Sequence, residues 1–300
     1  MQDSKTYFDP RTLARLKGLR LRARQIVEGF VAGLHRSPQR GFSIEFAEHR
    51  EYAPGDDLRY VDWKVLGRTD KLYSKQFEDE TNLVCHLVLD ASAGMAYQGP
   101  DSPLSKLDYA KCAAAALAWL VLEQQDAVGI VTFDAKIRKV LAPARGSAHL
   151  RNVVRLLEAT EPAGETAAGP VFHELAERFR TRGVVVLLSD LFDAPESVLA
   201  GLKHFHYRRH DVIAFHLLDR AEAEFPFDDP TRFRGLEQPI RIPVDARAIR
   251  RAYLDEFDRY VRELEAGCRQ WSIDYERVET DRPLDEVLAR YLTGRRHRLR

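Results

Sequence analysis

Short, nearly continuous apolar runs alternate with amphipathic stretches along the chain from Asn82 onward. The runs at 83–89, 127–133, 184–188 and 212–218 contain few polar positions, which is typical of strands buried on both faces of a sheet. The stretches between them repeat their apolar positions at helical spacing. This alternation predicts an α/β fold with a doubly wound, mostly parallel sheet that is covered by helices on both faces.

Polar and small residues mark where several of these elements begin and end. Ser105 and Asp245 precede helical patterns and are predicted N-caps, and Gly267 is a predicted C-terminal stop of the second of these helices. The short link 134–136 predicts an antiparallel hairpin whose second strand lies at an edge of the sheet. A last strand near 273–278 and a helix beginning near Pro283 are expected to complete the domain.

The first 81 residues do not follow this alternation, so the chain is expected to have three parts. Residues 1–40 are predicted to form a basic helical segment, and 41–81 a small β subdomain. Residues 82–294 form the predicted α/β domain, with a β insertion at about 221–244.

Composition narrows the class of protein. Forty-six basic and 46 acidic side chains give a formal net charge of zero, so no bulk charge draws the chain to nucleic acid or membrane. Its three cysteines are odd in number and far apart, which fits a reducing compartment better than a disulfide framework. The polar N-terminus resembles no secretion signal, and no apolar run is long enough to span a bilayer. We therefore expect a cytoplasmic protein with no transmembrane segment.

Candidate chemistry lies at the predicted strand ends. Asp90 and Ser92 follow the first central strand, Asp190 ends another, and Thr166 lies in the loop before the helix that leads to Asp190. Ligands of doubly wound sheets bind at the carboxyl ends of strands. Carboxylate and hydroxyl oxygens suit Mg²⁺ or Mn²⁺, so a metal site is one interpretation, and aspartates that only cap the following helices are the other.

The order of strand, Asp-x-Ser, helix, hairpin, threonine loop, strand and Asp resembles the metal-ion-dependent adhesion site of von Willebrand factor type A domains. That resemblance assigns the metal positions to Asp90, Ser92, Thr166 and Asp190, where a carboxylate of a partner protein would complete the coordination shell. Gly94 departs from the pattern, because the motif has a second serine there. A water would have to replace this ligand, which weakens the predicted binding of Mg²⁺ or Mn²⁺.

A second resemblance lies upstream, in the segment from Arg50 to Trp63. It is similar to the signature of the bacterial family called domain of unknown function 58. We interpret this segment as a turn that fastens the β subdomain to the core, in preference to a direct partner contact. The signature residues are Arg50, Tyr52, Gly55, Asp56, Asp57, Arg59, Asp62 and Trp63.

The family resemblance implies a noncatalytic protein-interaction module that works with a MoxR-type AAA+ ATPase on a client protein, in the assembly or maturation of complexes. A metal-dependent hydrolase or phosphatase that uses Asp90 and Asp190 is the alternative, with Glu165 or Asp193 as its base. A third interpretation is an RNA or membrane-surface adaptor. It rests on the basic ends of the chain, because residues 11–40 carry eight basic side chains against one acid and 295–300 carry four arginines.

Other catalytic signals are missing from the sequence. It contains no phosphate-binding Gly-x-x-x-x-Gly-Lys, no Gly-x-Gly-x-x-Gly, no His-Glu-x-x-His and no Gly-x-Ser-x-Gly. His204, His206 and His210 lie close together in sequence, but we interpret them as partners of a helix C-terminus. We therefore predict that the chain is not an enzyme and that it recognises no specific nucleic acid, while peripheral contact with a membrane stays open.

Overall fold

We describe the protein from a computed structural model, for residues 18–19, 22–24, 26–27, 50–51, 73–74, 83–288 and 290–291. The chain forms two compact units, one of residues 37–82 and one that combines 1–36 with 83–300. In the smaller unit, β1 (Arg50–Glu51) pairs antiparallel with β2 (Tyr73–Ser74). The rest of the signature segment lies outside the described residues.

The larger unit is built on a six-stranded sheet with the order β10-β7-β6-β3-β4-β5. Five strands run parallel, and only β5 is antiparallel to its neighbour. The mostly parallel α/β fold predicted from the alternating pattern is thus confirmed. The strands are β3 (Val84–Asp90), β4 (Ala127–Phe133), β5 (Ile137–Ala144), β6 (Val184–Ser189), β7 (Asp211–Leu218) and β10 (Asp274–Glu279).

Helices cover both faces of this sheet, and successive side chains along a strand enter opposite cores. Leu87 and Leu89 of β3 face one core, and Val88 between them faces the other. Helical residues near the N-terminus, among them Ile26, are buried in the first core. The helices are α1 (Lys106–Glu123), α2 (Ser147–Glu158), α3 (Ala168–Arg178), α4 (Pro195–Tyr207), α5 (Arg220–Glu224) and α6 (Ala246–Gln270), and residues 284–288 are also helical.

Several local predictions are confirmed. The hydroxyl of Ser105 accepts the backbone N–H of Asp108 and donates to the Asp108 carboxylate, and Asp245 caps α6. The hairpin after β4 places β5 at the sheet edge, where its side chains are mostly exposed.

Two local predictions differ from the structure. Gly267 does not end α6, which continues to Gln270, and a Cβ on Gly267 would lie 2.5 Å from the side chain of Leu199 in α4. Glycine at this position lets two helices approach closely and does not serve as a cap. The β structure predicted for 221–244 is present as the antiparallel pair β8 (Pro230–Arg234) and β9 (Arg241–Asp245), but the first residues of the segment belong to the short helix α5.

Candidate functional site at the strand ends

The candidate site lies where the order of strands reverses. From β3 the chain first builds toward β4 and β5, then returns to place β6 and β7 on the other side of β3. In doubly wound sheets this reversal opens a crevice at the carboxyl ends of the two central strands. Asp90 ends β3, and Asp190 directly follows β6.

Asp90 is fully buried and hydrogen-bonded on both carboxylate oxygens. Its Oδ1 accepts the backbone N–H of Ser92 at 2.9 Å, and its Oδ2 accepts the hydroxyl of Ser189 at 2.6 Å. Burial raises the pKa of Asp90 to about 7, and repulsion from Asp190 adds to the shift. The hydrogen bonds act in the opposite direction, because they favour the ionised form.

Asp190 is paired with a buried lysine that the strand-end pattern does not reveal. The ammonium Nζ of Lys106 lies 2.8 Å from Asp190 Oδ2 and 2.7 Å from Glu222 Oε1. The Lys106 side chain is 3% exposed. Burial alone would lower the pKa of Lys106, but attraction to the two carboxylates outweighs it and raises this pKa above its usual value.

The position of Glu222 follows from the helix cap of α5. The Asp219 side chain accepts the N–H of Ala221, and Glu222 Oε2 accepts the N–H of Asp219 at 2.8 Å, so the two acids form a capping box. The other oxygen of Glu222 is thereby directed to Lys106. Burial raises the pKa of Glu222, and Lys106 opposes that shift.

Thr166 is also engaged by a residue from another part of the chain. Its hydroxyl donates to Glu237 Oε1 at 2.6 Å, and its backbone N–H donates to Glu237 Oε2 at 3.2 Å. Glu237 lies between β8 and β9, in the insertion. A Cβ on Gly94 would lie 3.0 Å from Glu237 Oε1 and 3.2 Å from Asp190 Oδ2. Because glycine has no Cβ, the space beside these two carboxylates stays open.

The residues present do not fit a bound Mg²⁺ or Mn²⁺ in this arrangement. Asp190 Oδ2 is paired with the Lys106 ammonium group, and the Thr166 hydroxyl donates a hydrogen bond to Glu237. Gly94 has no side-chain oxygen that could bind a metal ion. The Ser92 hydroxyl, buried without a hydrogen-bond partner, is the one side-chain oxygen of the four predicted ligands that is not engaged. Among the described residues, no group of three or more His, Cys, Asp or Glu side chains is placed to hold a metal ion.

A cavity of about 780 Å³ opens beside these residues. Its floor includes Lys106 and Asp190, and its walls come from the β8–β9 hairpin, α6 and the loop after β6. Leu191 in that loop is buried with a φ of +52°, and the next residue, Phe192, is 71% exposed. Leu236, Ile240 and Ile242 of the hairpin are also about half exposed at the cavity. The cavity thus combines an apolar rim with a charged floor.

The two candidate bases and the clustered histidines lie in described parts of the chain. Glu165 is exposed, and the carboxylate of Asp193 accepts the backbone N–H groups of Gly169 and Ala194. His204 and His206 lie in the last turn of α4, which agrees with their interpretation as partners of a helix C-terminus. Of the signature residues only Arg50 is described, and only as part of β1; the others lie outside the described residues, as do 295–300.

Sequence reasoning missed Lys106, Glu222 and Glu237. One signal was available for Lys106, because a lysine in the first turn of a helix opposes the positive end of the helix dipole. A residue that breaks a local rule is often held there by tertiary contacts. For Glu222 the signal was the Asp-x-x-Glu spacing from Asp219, which predicts a capping box but not the contact with Lys106. Glu237 carried no comparable signal, since an acidic residue in a polar insertion is an ordinary solvent-facing position.

Comparison with known proteins agrees with this architecture. Residues 48–263 match the family described as protein of unknown function DUF58. Uncharacterized proteins of Mycobacterium tuberculosis (strain H37Rv) and Mycobacterium bovis are 31% identical over 223 residues, which is 73% of this chain and 68% of theirs. The crystal structure of the conserved hypothetical protein BatB from Bacteroides thetaiotaomicron superposes with a TM-score of 0.50 at 15% identity, over 71% of this chain and 98% of that one. Among the described residues, no helix has the length and apolar character to cross a membrane. The chain therefore belongs to the DUF58 family and carries a von Willebrand factor type A-like α/β domain.

Proposed function

We propose that the chain is a noncatalytic protein-interaction module that docks a partner in the cavity at the strand ends. The observation that carries this proposal is the set of exposed apolar side chains at the mouth of the cavity, with Phe192 71% and Ile242 53% exposed. Exposed apolar groups gathered around a concave site mark interaction surfaces more often than isolated ones do.

The charge of the cavity supports a partner that carries basic groups. Five carboxylates line it, against the two basic side chains Lys106 and Arg234. Lys106 is already shared between two of these acids. The preferred occupant is therefore a protein segment that places a lysine or arginine beside apolar side chains. This differs from the adhesion-site expectation, in which the partner supplies a carboxylate to a metal ion.

A noncatalytic role is supported by how the polar groups at the strand ends are engaged. Both oxygens of Asp90 accept hydrogen bonds, Asp190 is paired with Lys106, and Thr166 is bonded to Glu237. Each of these groups would have to share or exchange its present partner in order to contact a substrate. As the partner class we propose a MoxR-type AAA+ ATPase, which the family resemblance implies.

The test is binding of the purified chain to a purified MoxR-type ATPase, measured by biolayer interferometry at two salt concentrations. Phe192→Ser and Ile242→Ser should each weaken binding about tenfold or more, as expected for residues central to an interface. Val140→Ser is the matched control, because Val140 is 54% exposed on β5, away from the cavity. Binding that is unchanged by both cavity variants, or reduced equally by the control, would overturn the docking proposal.

The noncatalytic part has its own measurement. Hydrolysis of p-nitrophenyl phosphate with added Mn²⁺ should stay at the buffer rate for the wild type and for Asp90→Asn alike. Turnover by the wild type that the Asp90→Asn variant loses would identify a metal-dependent phosphatase instead.

A further inference from the structure

Four carboxyl groups gather at the strand-end site, two of them buried and two partly exposed. Asp90 is fully buried, Asp190 is 5% exposed, and Glu222 and Glu237 approach from the segment after β7. Carboxylates taken out of water are stabilised only when they are paired or hydrogen-bonded. In the adhesion-site arrangement a divalent metal ion balances such charge. Here a lysine ammonium group from the same chain lies between two of these carboxylates, Asp190 and Glu222.

We propose that the ammonium group of Lys106 is the resident cation of the strand-end site and takes the role of the divalent ion, so that the site is assembled without metal. The Nζ atom bridges Asp190 and Glu222 at 2.8 and 2.7 Å. It thereby joins the loop after β6 to α5 through the start of α1. A metal ion in the adhesion site links separate loops in the same way. This proposal does not depend on which partner the cavity docks.

The backbone fixes the lysine at this position. The N–H of Lys106 donates to the carbonyl of Tyr97 at 3.0 Å, and the Tyr97 ring lies 5.9 Å from Nζ. Ser105 caps the helix immediately before it. These contacts fix where the first turn of α1 begins. From this position the whole length of the Lys106 side chain is used to reach Asp190.

The placement is unfavourable for a lysine on local grounds alone. Lys106 is the first residue of α1, where the helix macrodipole repels positive charge, and it is almost completely buried. Two carboxylates within hydrogen-bond distance offset both costs. A divalent ion that bound Asp190 Oδ2 would have to displace the ammonium group or lie directly beside it, and two cations in one buried site repel each other.

The remaining ligand positions are consistent with a site that has no metal. Gly94 contributes no hydroxyl, and the space above it is bordered by Glu237, a carboxylate from the same chain. Glu237 accepts two hydrogen bonds from Thr166 and so holds the threonine loop. Lys106 and Glu237 together supply from within the chain the cation and the carboxylate that an adhesion site takes from solution and from a partner.

The first measurement uses the wild-type chain. Calorimetric titration with MgCl₂ and MnCl₂ should show no saturable binding, and the melting temperature should be the same in EDTA and in excess Mg²⁺. Saturable binding by the wild type, or a melting temperature that falls on chelation, would overturn the proposal whatever the variants do.

The second measurement uses Lys106→Met, which keeps most of the length of the side chain and removes its charge. With the ammonium gone, Mg²⁺ or Mn²⁺ should raise the melting temperature of this variant by about 3–5 °C at a concentration tenfold above its dissociation constant. Lys111→Met is the matched control, because Lys111 lies in the same helix and, among the residues that the structure describes, its one ion pair is with Asp108, at 3.7 Å. The control should show no response to either ion.

A folded Lys106→Met protein that gains no stability from either ion would refute the replacement role. If that variant does not fold, Lys106→Met combined with Glu222→Gln removes one positive and one negative charge together, and the same shift is expected of it. Lys106→Arg keeps the charge and should stay insensitive to Mg²⁺. Equal gains by Lys106→Met and Lys111→Met would show unspecific ion binding and would also refute the proposal.

Discussion

Replacing Lys106 by methionine should be among the most destabilising single changes outside the apolar core. The Lys106 and Asp190 side chains are 3% and 4% exposed, so the variant leaves a buried carboxylate without a counter-charge. Breaking a buried ion pair from one side costs about 3–5 kcal/mol. The Glu222 side chain is 26% exposed and partly solvated, so most of this cost is expected to come from Asp190.

A double-mutant cycle separates the ion pair from the packing of the lysine stem. Glu222→Gln keeps a hydrogen-bond acceptor for the ammonium group and removes one charge, and we expect it to cost about 1–2 kcal/mol. In the Lys106→Met/Glu222→Gln protein the glutamine no longer adds a negative charge beside Asp190. The two changes should therefore be non-additive, with a coupling energy of about 1–3 kcal/mol.

Urea unfolding at 25 °C, followed by circular dichroism, measures each free energy of unfolding, and unchanged m-values would confirm that the comparison is between similar states. Lys111→Met serves as the control. The Lys111 side chain is 12% exposed, but its partner Asp108 is 49% exposed and stays in contact with water when the lysine charge is removed. We therefore expect Lys111→Met to cost much less than Lys106→Met, about 0–1 kcal/mol. A Lys106→Met cost below about 1 kcal/mol, or additive effects in the cycle, would refute the reasoning that the ammonium group balances buried charge.

Three further predictions concern the hairpin, the buried histidines and the helix packing. Glu237→Ala removes two hydrogen bonds to the threonine loop, so amide hydrogens of the β8–β9 hairpin should exchange about tenfold faster by mass spectrometry, and unchanged exchange would contradict this. Burial lowers the pKa values of His86 and His216 to about 4, so the folded state binds fewer protons than the unfolded chain between about pH 4 and 6.5. Stability should fall as the pH drops through that window, and side-chain ¹⁵N spectra should show both rings neutral at pH 5.5; rings already protonated there would refute it. Gly201→Ala should cost about 1–3 kcal/mol in thermal unfolding, although alanine favours helix, because the new Cβ would lie 2.7 Å from a side-chain carbon of α3. Ala200→Gly, at an exposed position of the same helix, should cost about 1 kcal/mol from helix propensity alone, and a stabilising Gly201→Ala would show that the helices are less tightly packed.

The sequence predicted best those elements for which the local pattern of residues and the packing in the folded protein favour the same structure. The run before Asp90 is apolar except for His86, because β3 lies between β4 and β6 and is covered on both faces. Ser105 caps α1 through contacts within four residues, which the sequence displays directly. The exposed positions of β5 follow from its place at the edge of the sheet.

Gly267 shows where local reasoning fails. A glycine near the end of a helical pattern is usually a C-terminal cap, because it adopts positive φ at no steric cost. In α6 it lies against another helix, where a Cβ would meet the side-chain end of Leu199 in α4 and that side chain would have to shift. That contact joins residues 68 positions apart, and no local pattern contains it.

By itself the sequence determined the α/β class, the strand ends that carry Asp90 and Asp190, and the caps that start α1 and α6. These features depend on hydrophobic periodicity and on hydrogen bonds between near neighbours in the chain. Only the tertiary structure decided the partners of the two aspartates. Lys106 lies 84 positions from Asp190 and 116 from Glu222, and Glu237 lies 71 from Thr166. Electrostatic pairing acts through space, so the charge balance at the strand ends was settled by the sheet order and the insertion that bring these side chains together.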